Sequence, residues 1–123
     1  GEQRISLDET HILYDLHGNH VKAVSDEAAA VRKALRQPID SLPLVDVVAP
    51  GDTVAIIVSD ITRPVHTAQM LPVIVNELNL AGIPDGQIKV ITAQGTHRAH
   101  TPEEDELVCG KEMVQRLTVI NHD

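Results

Sequence analysis

Aromatic side chains are almost absent from this chain. Among its 123 residues there is no Phe, no Trp and a single tyrosine, Tyr14. Apolar residues still make up 42% of the sequence, so a core must be built from Val, Ile, Leu and Ala. Without aromatic platforms the chain lacks the surface on which single-stranded nucleic acids stack, and a net charge of −8 disfavours a phosphate backbone. We therefore expect no nucleic-acid partner.

Cysteine and long apolar runs are also scarce. The single cysteine, Cys109, excludes an internal disulfide and suits a reducing cytoplasm. It follows Leu107 and Val108, which predicts that all three face inward and that the thiol is an unreactive core group. No apolar run approaches the ~20 residues that a membrane-spanning helix needs, and no signal peptide is recognisable. We expect a cytoplasmic protein that does not bind membranes.

Two β-rich runs, residues 53–58 and 88–93, each lead directly into a polar cluster. Between them, residues 70–81 have helical spacing; the helix should start between Pro64 and Gln69 and end at Gly82. The order is therefore strand, helix, strand. Because the carboxyl ends of parallel strands face one crevice, the two polar clusters should lie side by side where ligands bind.

The rest of the chain extends this pattern. Residues 1–24 contain short apolar patches between turn residues, which predicts a small N-terminal β elaboration of antiparallel strands. Residues 25–123 should form one α/β domain, with a helix capped by Ser25, a capping box from Thr101 to Glu104, and a third strand at 117–120. We predict a Rossmann-like parallel sheet with flanking helices that cover both of its faces.

The first polar cluster contains Asp60, Thr62 and Arg63. Arginine offers a planar fork that suits a carboxylate or a phosphate, and Thr62 with nearby backbone N–H groups can add hydrogen bonds to the same anion. An alternative remains open, in which Asp60 caps the following helix and pairs with Arg63 without any ligand.

The second cluster contains Gly95 and His97. Glycine permits a tight turn that exposes His97, and histidine titrates near neutrality, so it can serve as a general acid or base. The alternative is a loop histidine bonded to a backbone carbonyl. His66 and His100 are interpreted as loop residues, and His122 is a candidate third contributor.

Three segments at their present spacing resemble the N-terminal part of the nickel-dependent lactate racemase family. They are Ser-Asp-Ile-Thr-Arg-Pro (59–64), Leu-Asn-Leu-Ala-Gly-Ile-Pro-Asp (78–85) and Ala-Gln-Gly-Thr-His-Arg (93–98). Residues 31–38 and the closing Asn-His-Asp (121–123) fit the same pattern, so the resemblance covers residues 25–123. Gln94 departs from the family, which often has Thr there, but Gly95 and His97 are retained.

The resemblance implies an enzyme that uses a nickel-pincer nucleotide, a pyridinium-3,5-bisthiocarboxylic acid mononucleotide whose sulfur and carbon atoms hold nickel. It implies that Asp60, Ile61, Thr62 and Arg63 contact this cofactor, and that Arg63 is also a candidate for the substrate carboxylate. His97 would be one of two histidines that exchange the proton of the 2-hydroxyl while the C2 hydride passes to the cofactor. Return of the hydride to either face of the planar 2-keto acid would give both enantiomers.

In that family the second catalytic histidine, the lysine joined to the cofactor and the nickel-binding histidine lie further along the parent chain. No metal ligand is therefore assigned here, and we expect a truncated fragment, inactive alone, of a lactate racemase-like isomerase of 2-hydroxy acids. One rival is a non-catalytic α/β module that binds an anion or nucleotide. A weaker rival is a metal-dependent hydrolase using His97, for which no carboxylate–histidine set at helical spacing is visible.

Overall fold

A parallel three-stranded sheet organises the chain. In a computed structural model that describes residues 2–63 and 65–122, the sheet consists of β1 (Val54–Ser59), β2 (Ile88–Ala93) and β3 (Thr118–Asn121), in that order. Both neighbouring pairs are parallel. The predicted α/β fold with a parallel sheet and flanking helices is confirmed. Positions 1, 64 and 123, which belong to predicted segments, lie outside the described residues.

Helices connect and flank these strands. They are α1 (Glu27–Arg36), α2 (Leu44–Val47), α3 (Thr67–Leu80), α4 (Pro102–Cys109) and α5 (Lys111–Arg116). No helix among the described residues is both long enough and apolar enough to cross a bilayer. The start of α3 at Thr67 lies within the predicted window, so the strand–helix–strand unit agrees with the sequence pattern.

The end of α3 follows from a glycine in the left-handed region. Gly82 has φ +91°, and its N–H donates to the Asn79 carbonyl at 3.0 Å. The Ile83 N–H donates to the Leu78 carbonyl at 3.0 Å, which completes a Schellman motif. The buried Ile83 then enters the core and the chain turns into β2.

Helix starts agree with the sequence pattern in α4 and differ by one residue in α1. Thr101 and Glu104 form the predicted capping box. The cap of α1 is Asp26 and not Ser25: its carboxylate accepts the Ala29 N–H at 2.8 Å, because Ala29 is the third helical residue and Ser25 lies one position too early.

The helices cover only one face of the sheet in the described part of the chain. Val58, Ile88 and Val90 pack against the helices in a core that also contains Leu71, Val75, Leu78, Ile83, Cys109, Met113 and Leu117. On the opposite face Ile57 is 71% exposed. The expectation that both faces are covered is therefore wrong for these residues. Right-handed crossovers that step in one direction place their helices on the same side.

Residues 2–24 contain no β-strand, so the expected β elaboration is not found in this segment. Its only regular element is a 3₁₀ turn at Glu9–His11. Apolar side chains such as Leu13, Tyr14 and Leu16 are exposed. A β-hairpin is only marginally stable unless its apolar face packs against another element. Nothing in the described residues covers the apolar side chains of this segment.

A buried carboxylate joins α1 to α3. Glu77 accepts hydrogen bonds from Arg36 Nε and Nη2, each at 3.0 Å, and Arg32 Nε lies 3.6 Å away. The ion pair raises the pKa of the Arg36 guanidinium. None of the α1 residues is fully buried, and this contact adds to the half-buried packing of α1 on α3.

Candidate functional site

The sheet register places three polar loops at one edge. Ser59 pairs with Ala93 at the carboxyl ends of β1 and β2, and Thr92 pairs with Asn121 at the end of β3. The loops after these strands therefore meet, as predicted for the first two clusters. A depression of about 520 Å³ lies at this edge, lined by Gln94, Gly95, His97, Arg98, Ala99, Asn121 and His122.

Asp60 and His97 form a direct pair across this edge. Asp60 is 3% exposed, and its Oδ2 lies 2.5 Å from His97 Nδ1. Its other oxygen, Oδ1, accepts the Thr62 hydroxyl at 2.8 Å. The hydrogen bond from His97, followed by that from Thr62, lowers the pKa of the Asp60 carboxyl, so the group is a carboxylate at neutral pH.

The Asp60 carboxylate sets the tautomer of His97. A carboxylate can only accept, so in the neutral ring the His97 proton resides on Nδ1 and Nε2 carries the lone pair. The side chain of His97 is 48% exposed, and Nε2 has no hydrogen-bond partner among the described residues. The imidazole is thus held at one nitrogen and accessible at the other. The alternative of a histidine bonded to a backbone carbonyl is wrong for this ring.

The turn that carries His97 depends on Gly95. Gly95 has φ +61°, and the His97 N–H donates to the Gln94 carbonyl at 3.1 Å. A Cβ at this position would meet no atom within 4 Å, so the backbone conformation and not the space requires glycine. This agrees with the predicted tight turn.

The turn after β1 carries the other predicted residues. The Arg63 N–H donates to the Asp60 carbonyl at 3.1 Å, which closes residues 60–63 into a turn. Ile61, Thr62 and Arg63 are exposed. The Arg63 side chain makes no hydrogen bond or ion pair within the described ranges 2–63 and 65–122. The alternative in which Asp60 caps α3 and pairs with Arg63 is therefore wrong, since Asp60 bonds to Thr62 and His97.

Arg98 forms an ion pair with Glu104 of α4. Its two terminal nitrogens donate to the carboxylate oxygens of Glu104, both at 2.7 Å. This fork, together with the Thr101 N–H, lowers the pKa of Glu104 to about 2. The pair ties the His97 loop to the first turn of α4, so Arg63 is the cation left for an anionic ligand among the described residues of these two loops.

His100 is a site residue that the sequence interpretation missed. Its side chain is 2% exposed; Nε2 accepts the Ile61 N–H at 3.1 Å, and Nδ1 lies 3.0 Å from Asp105 Oδ1. The His100 N–H donates to Asn121 Oδ1 at 2.9 Å. No local pattern signals these contacts, because the partners lie in other elements. His66 is exposed beside Glu27, as expected of a loop residue.

No metal centre is formed by the described residues alone. Nowhere in 2–63 or 65–122 do three or more His, Cys, Asp or Glu side chains cluster in a way that could hold a metal ion. His122 lines the depression without joining the Asp60–His97 pair. The described residues thus bring Asp60 and His97 together, while Arg63 lies on the same turn as Asp60 and is not among the residues that line the depression.

The comparison with known proteins identifies the family. A family model described as the lactate racemase N-terminal domain matches residues 1–123, the whole chain. The chain belongs to the lactate racemase N-terminal domain family.

Two lactate racemases are similar to it in sequence. The protein from Thermoanaerobacterium thermosaccharolyticum is 30% identical over 112 residues, which are 91% of this chain and 26% of that protein. The protein from Lactiplantibacillus plantarum is 32% identical over 96 residues, which are 78% of this chain and 22% of that protein. The chain thus spans about a quarter of the length of these lactate racemases.

A solved structure shares the fold. The lactate racemase apoprotein from T. thermosaccharolyticum superposes with a TM-score of 0.68 at 32% sequence identity, over 80% of this chain and 23% of that structure. The resemblance to the N-terminal part of lactate racemases is therefore confirmed. The site described above lies within a member of a racemase family.

Proposed function

We propose that this chain provides one half of the active site of a 2-hydroxy-acid racemase or epimerase. Membership of the lactate racemase N-terminal domain family supports the reaction class. The observation that carries the proposal is the Asp60–His97 pair, which presents an imidazole nitrogen to the depression. Lactate and other small 2-hydroxy acids are equally compatible with one arginine and one histidine.

His97 acts as the acid and base for the 2-hydroxyl group. Its unprotonated Nε2 accepts the hydroxyl proton, and the resulting N–H later returns a proton to the same oxygen. The ionised Asp60 keeps Nδ1–H in place during both steps, so the ring does not change tautomer or orientation. Thr62 donates to the second oxygen of Asp60 and holds the carboxylate in this geometry.

Arg63 binds the anionic end of the ligand. The chain carries a net charge of −8, so an anion needs a local cation to approach. Arg63 lies on the turn that also contains Asp60, and its guanidinium has no partner in the parts of the chain described. The planar fork of its guanidinium suits a carboxylate, with which it can form two parallel hydrogen bonds.

The residues of this site fit the anionic part of a nickel-pincer nucleotide. By the family resemblance, the turn of Asp60, Ile61, Thr62 and Arg63 would contact the nucleotide, and Arg63 would donate either to this cofactor or to the substrate carboxylate. When bound, this cofactor supplies reversible storage of the C2 hydride. By the family resemblance, we assign the nickel-binding histidine to the remainder of the parent protein.

The isolated chain is proposed to be inactive, because it matches only about a quarter of the lactate racemases to which it is similar. The remainder of the parent chain would supply the second acid/base histidine, the lysine joined to the cofactor and the nickel-binding histidine. A cytoplasmic location is part of the same proposal, supported by the free, buried thiol of Cys109.

A second candidate is a non-catalytic module that binds a phosphate or carboxylate. The available Arg63 supports this interpretation as well, since anion capture needs no acid/base group. The gene sequence downstream of Asp123 distinguishes the two candidates. A downstream segment with a lysine and two histidines favours the racemase, and a stop codon there favours the module.

The decisive experiment uses the full-length parent produced together with its cofactor-making partners. Each enantiomer of a panel of 2-hydroxy acids is incubated with the loaded protein, and the opposite enantiomer is measured by chiral chromatography. We expect interconversion of at least one acid. Loaded protein that binds these acids but leaves every enantiomer unchanged would exclude the racemase.

A further inference from the structure

His100 lies in the same loop as His97 but has no part in the proposed proton transfer. Its ring is buried between two loops and α4, with a side chain 2% exposed. A backbone N–H can only donate, so Nε2, which faces the Ile61 N–H at 3.1 Å, must be the unprotonated nitrogen. The ring proton is then on Nδ1 and is donated to Asp105 Oδ1 at 3.0 Å.

The bond to Ile61 fixes the peptide that carries Asp60. The Ile61 N–H belongs to the peptide unit whose carbonyl is that of Asp60, and this carbonyl accepts the Arg63 N–H at 3.1 Å. Both sides of the peptide plane are therefore held. Because a peptide unit is planar, holding it also holds the Asp60 Cα, from which the side chain leaves the backbone.

Two histidines of the loop after β2 thus bind two neighbouring residues of the loop after β1. His97 holds the Asp60 carboxylate, and His100 holds the next backbone N–H. Asp105 anchors His100 to α4, which ends in the buried Cys109 of the core. The acid/base pair is connected through this chain of contacts to the rigid part of the domain.

We propose that His100 is a positioning residue, which holds the turn after β1 in the conformation where Asp60 meets His97. This inference rests on the proposed function for its catalytic consequence but not for its geometric one. The group that matters is the acceptor at Nε2, so a side chain that keeps an acceptor there should preserve the pair.

The test compares His100→Gln with His100→Leu. The glutamine amide oxygen can accept the Ile61 N–H, whereas leucine fills similar space without any acceptor. His66→Gln removes an exposed histidine outside the site and is the matched control. Circular dichroism and thermal melts first establish that each variant is folded.

The first readout is the imidazole ¹⁵N spectrum of His97 in this chain, which reports whether Nδ1 is protonated and bonded. We expect His100→Gln and His66→Gln to keep the wild-type signal and His100→Leu to lose it. In the loaded parent, His100→Leu should lower kcat on the order of 10²-fold with little change in KM, as a misplaced catalytic group does.

A folded His100→Leu variant with the wild-type His97 signal would overturn the proposal, and so would equal loss in the leucine and glutamine variants. If the leucine variant does not fold, Asp105→Ala replaces it. Alanine suits a helix and removes the acceptor for the Nδ1 proton of His100, so the proton can move to Nε2 and the His97 signal should be lost as in His100→Leu. If the parent racemises nothing yet the ¹⁵N pattern is as expected, the proposed function fails and the positioning role stands.

Discussion

Asp60 Oδ2 and His97 Nδ1 lie 2.5 Å apart, although 37 positions separate the two residues in the chain. Each follows a strand of one parallel pair, so the sheet register brings their two loops side by side. The contact orients the His97 ring, and the acid/base role proposed for this pair can be tested at each residue.

Replacing the imidazole of His97 removes the proposed acid/base group itself. In the loaded parent, His97→Ala should lower kcat by roughly 10²–10⁴-fold, the usual contribution of general acid–base catalysis. The fold should survive, because a half-exposed loop side chain contributes little packing. Enantiomer interconversion and thermal melting check the two parts, with His66→Ala as control. Normal turnover in folded His97→Ala would remove this residue from the mechanism.

The orienting carboxylate can be tested separately. Asp60→Asn keeps the shape but presents an amide whose nitrogen can donate to Nδ1, which favours the wrong tautomer of His97. We expect kcat to fall by up to about 10⁴-fold, as in other carboxylate–histidine pairs. A pH–rate profile identical to that of the wild type would contradict this role for Asp60.

Arg63→Lys retains the positive charge and loses the planar fork. A carboxylate or phosphate then gains one point contact in place of two parallel hydrogen bonds. We expect substrate or cofactor affinity to weaken roughly tenfold, about 1.4 kcal/mol, with the fold unchanged. Titration calorimetry on the parent measures this, and Arg4→Lys in the exposed N-terminal segment serves as control. Unchanged affinity for both ligands would exclude the anion-binding role.

Cys109 should be unreactive in the folded chain. It is fully buried, and burial, followed by the charge of Asp105, raises the pKa of its thiol to about 11. Since the unfolded thiol ionises near pH ~8.5, its contribution to stability is complete below that pH and is lost as the pH rises towards 11. Labelling with a thiol reagent at about pH 8, just below that ordinary pKa, should require denaturant, and rapid labelling of native protein would refute this.

Acid should weaken the link between the His97 loop and α4. The pKa of Glu104 is lowered to about 2 by Arg98, so its stabilisation is present above the ordinary value of 4.5 and is lost as the pH falls towards 2. Glu104→Gln should flatten the decline in stability across this window. Glu106→Gln, on an exposed carboxylate of the same helix, should leave the decline unchanged. Parallel curves for wild type and Glu104→Gln would argue against the ion pair.

Local signals predict much of the fold and part of the site. The Gly82 helix end, the Thr101–Glu104 capping box and the two strands before the polar clusters each depend on neighbours within a few residues. Contacts between distant residues are not predictable in this way. The pairing of His100 with Ile61 arises only once the sheet has formed.

The wrong predictions of which side chains are buried have the same cause, because burial also depends on distant residues. The sequence predicts that Leu107 faces inward with Cys109, but Leu107 is exposed, because it lies on the opposite side of α4 from Asp105 and Cys109. The apolar patches of 2–24 suggest strands, yet strands need a partner surface. A sequence pattern reports that a segment is amphipathic and does not report what it will pack against.

His100 accepts a hydrogen bond from the main chain of Ile61 and does not bond to the Ile61 side chain. Ile61 is 38% exposed. Replacing Ile61 with another residue preserves the hydrogen bond to His100 as long as the backbone amide hydrogen remains. Proline alone lacks that hydrogen. Homologous chains that keep a histidine at position 100 should therefore exclude proline at position 61.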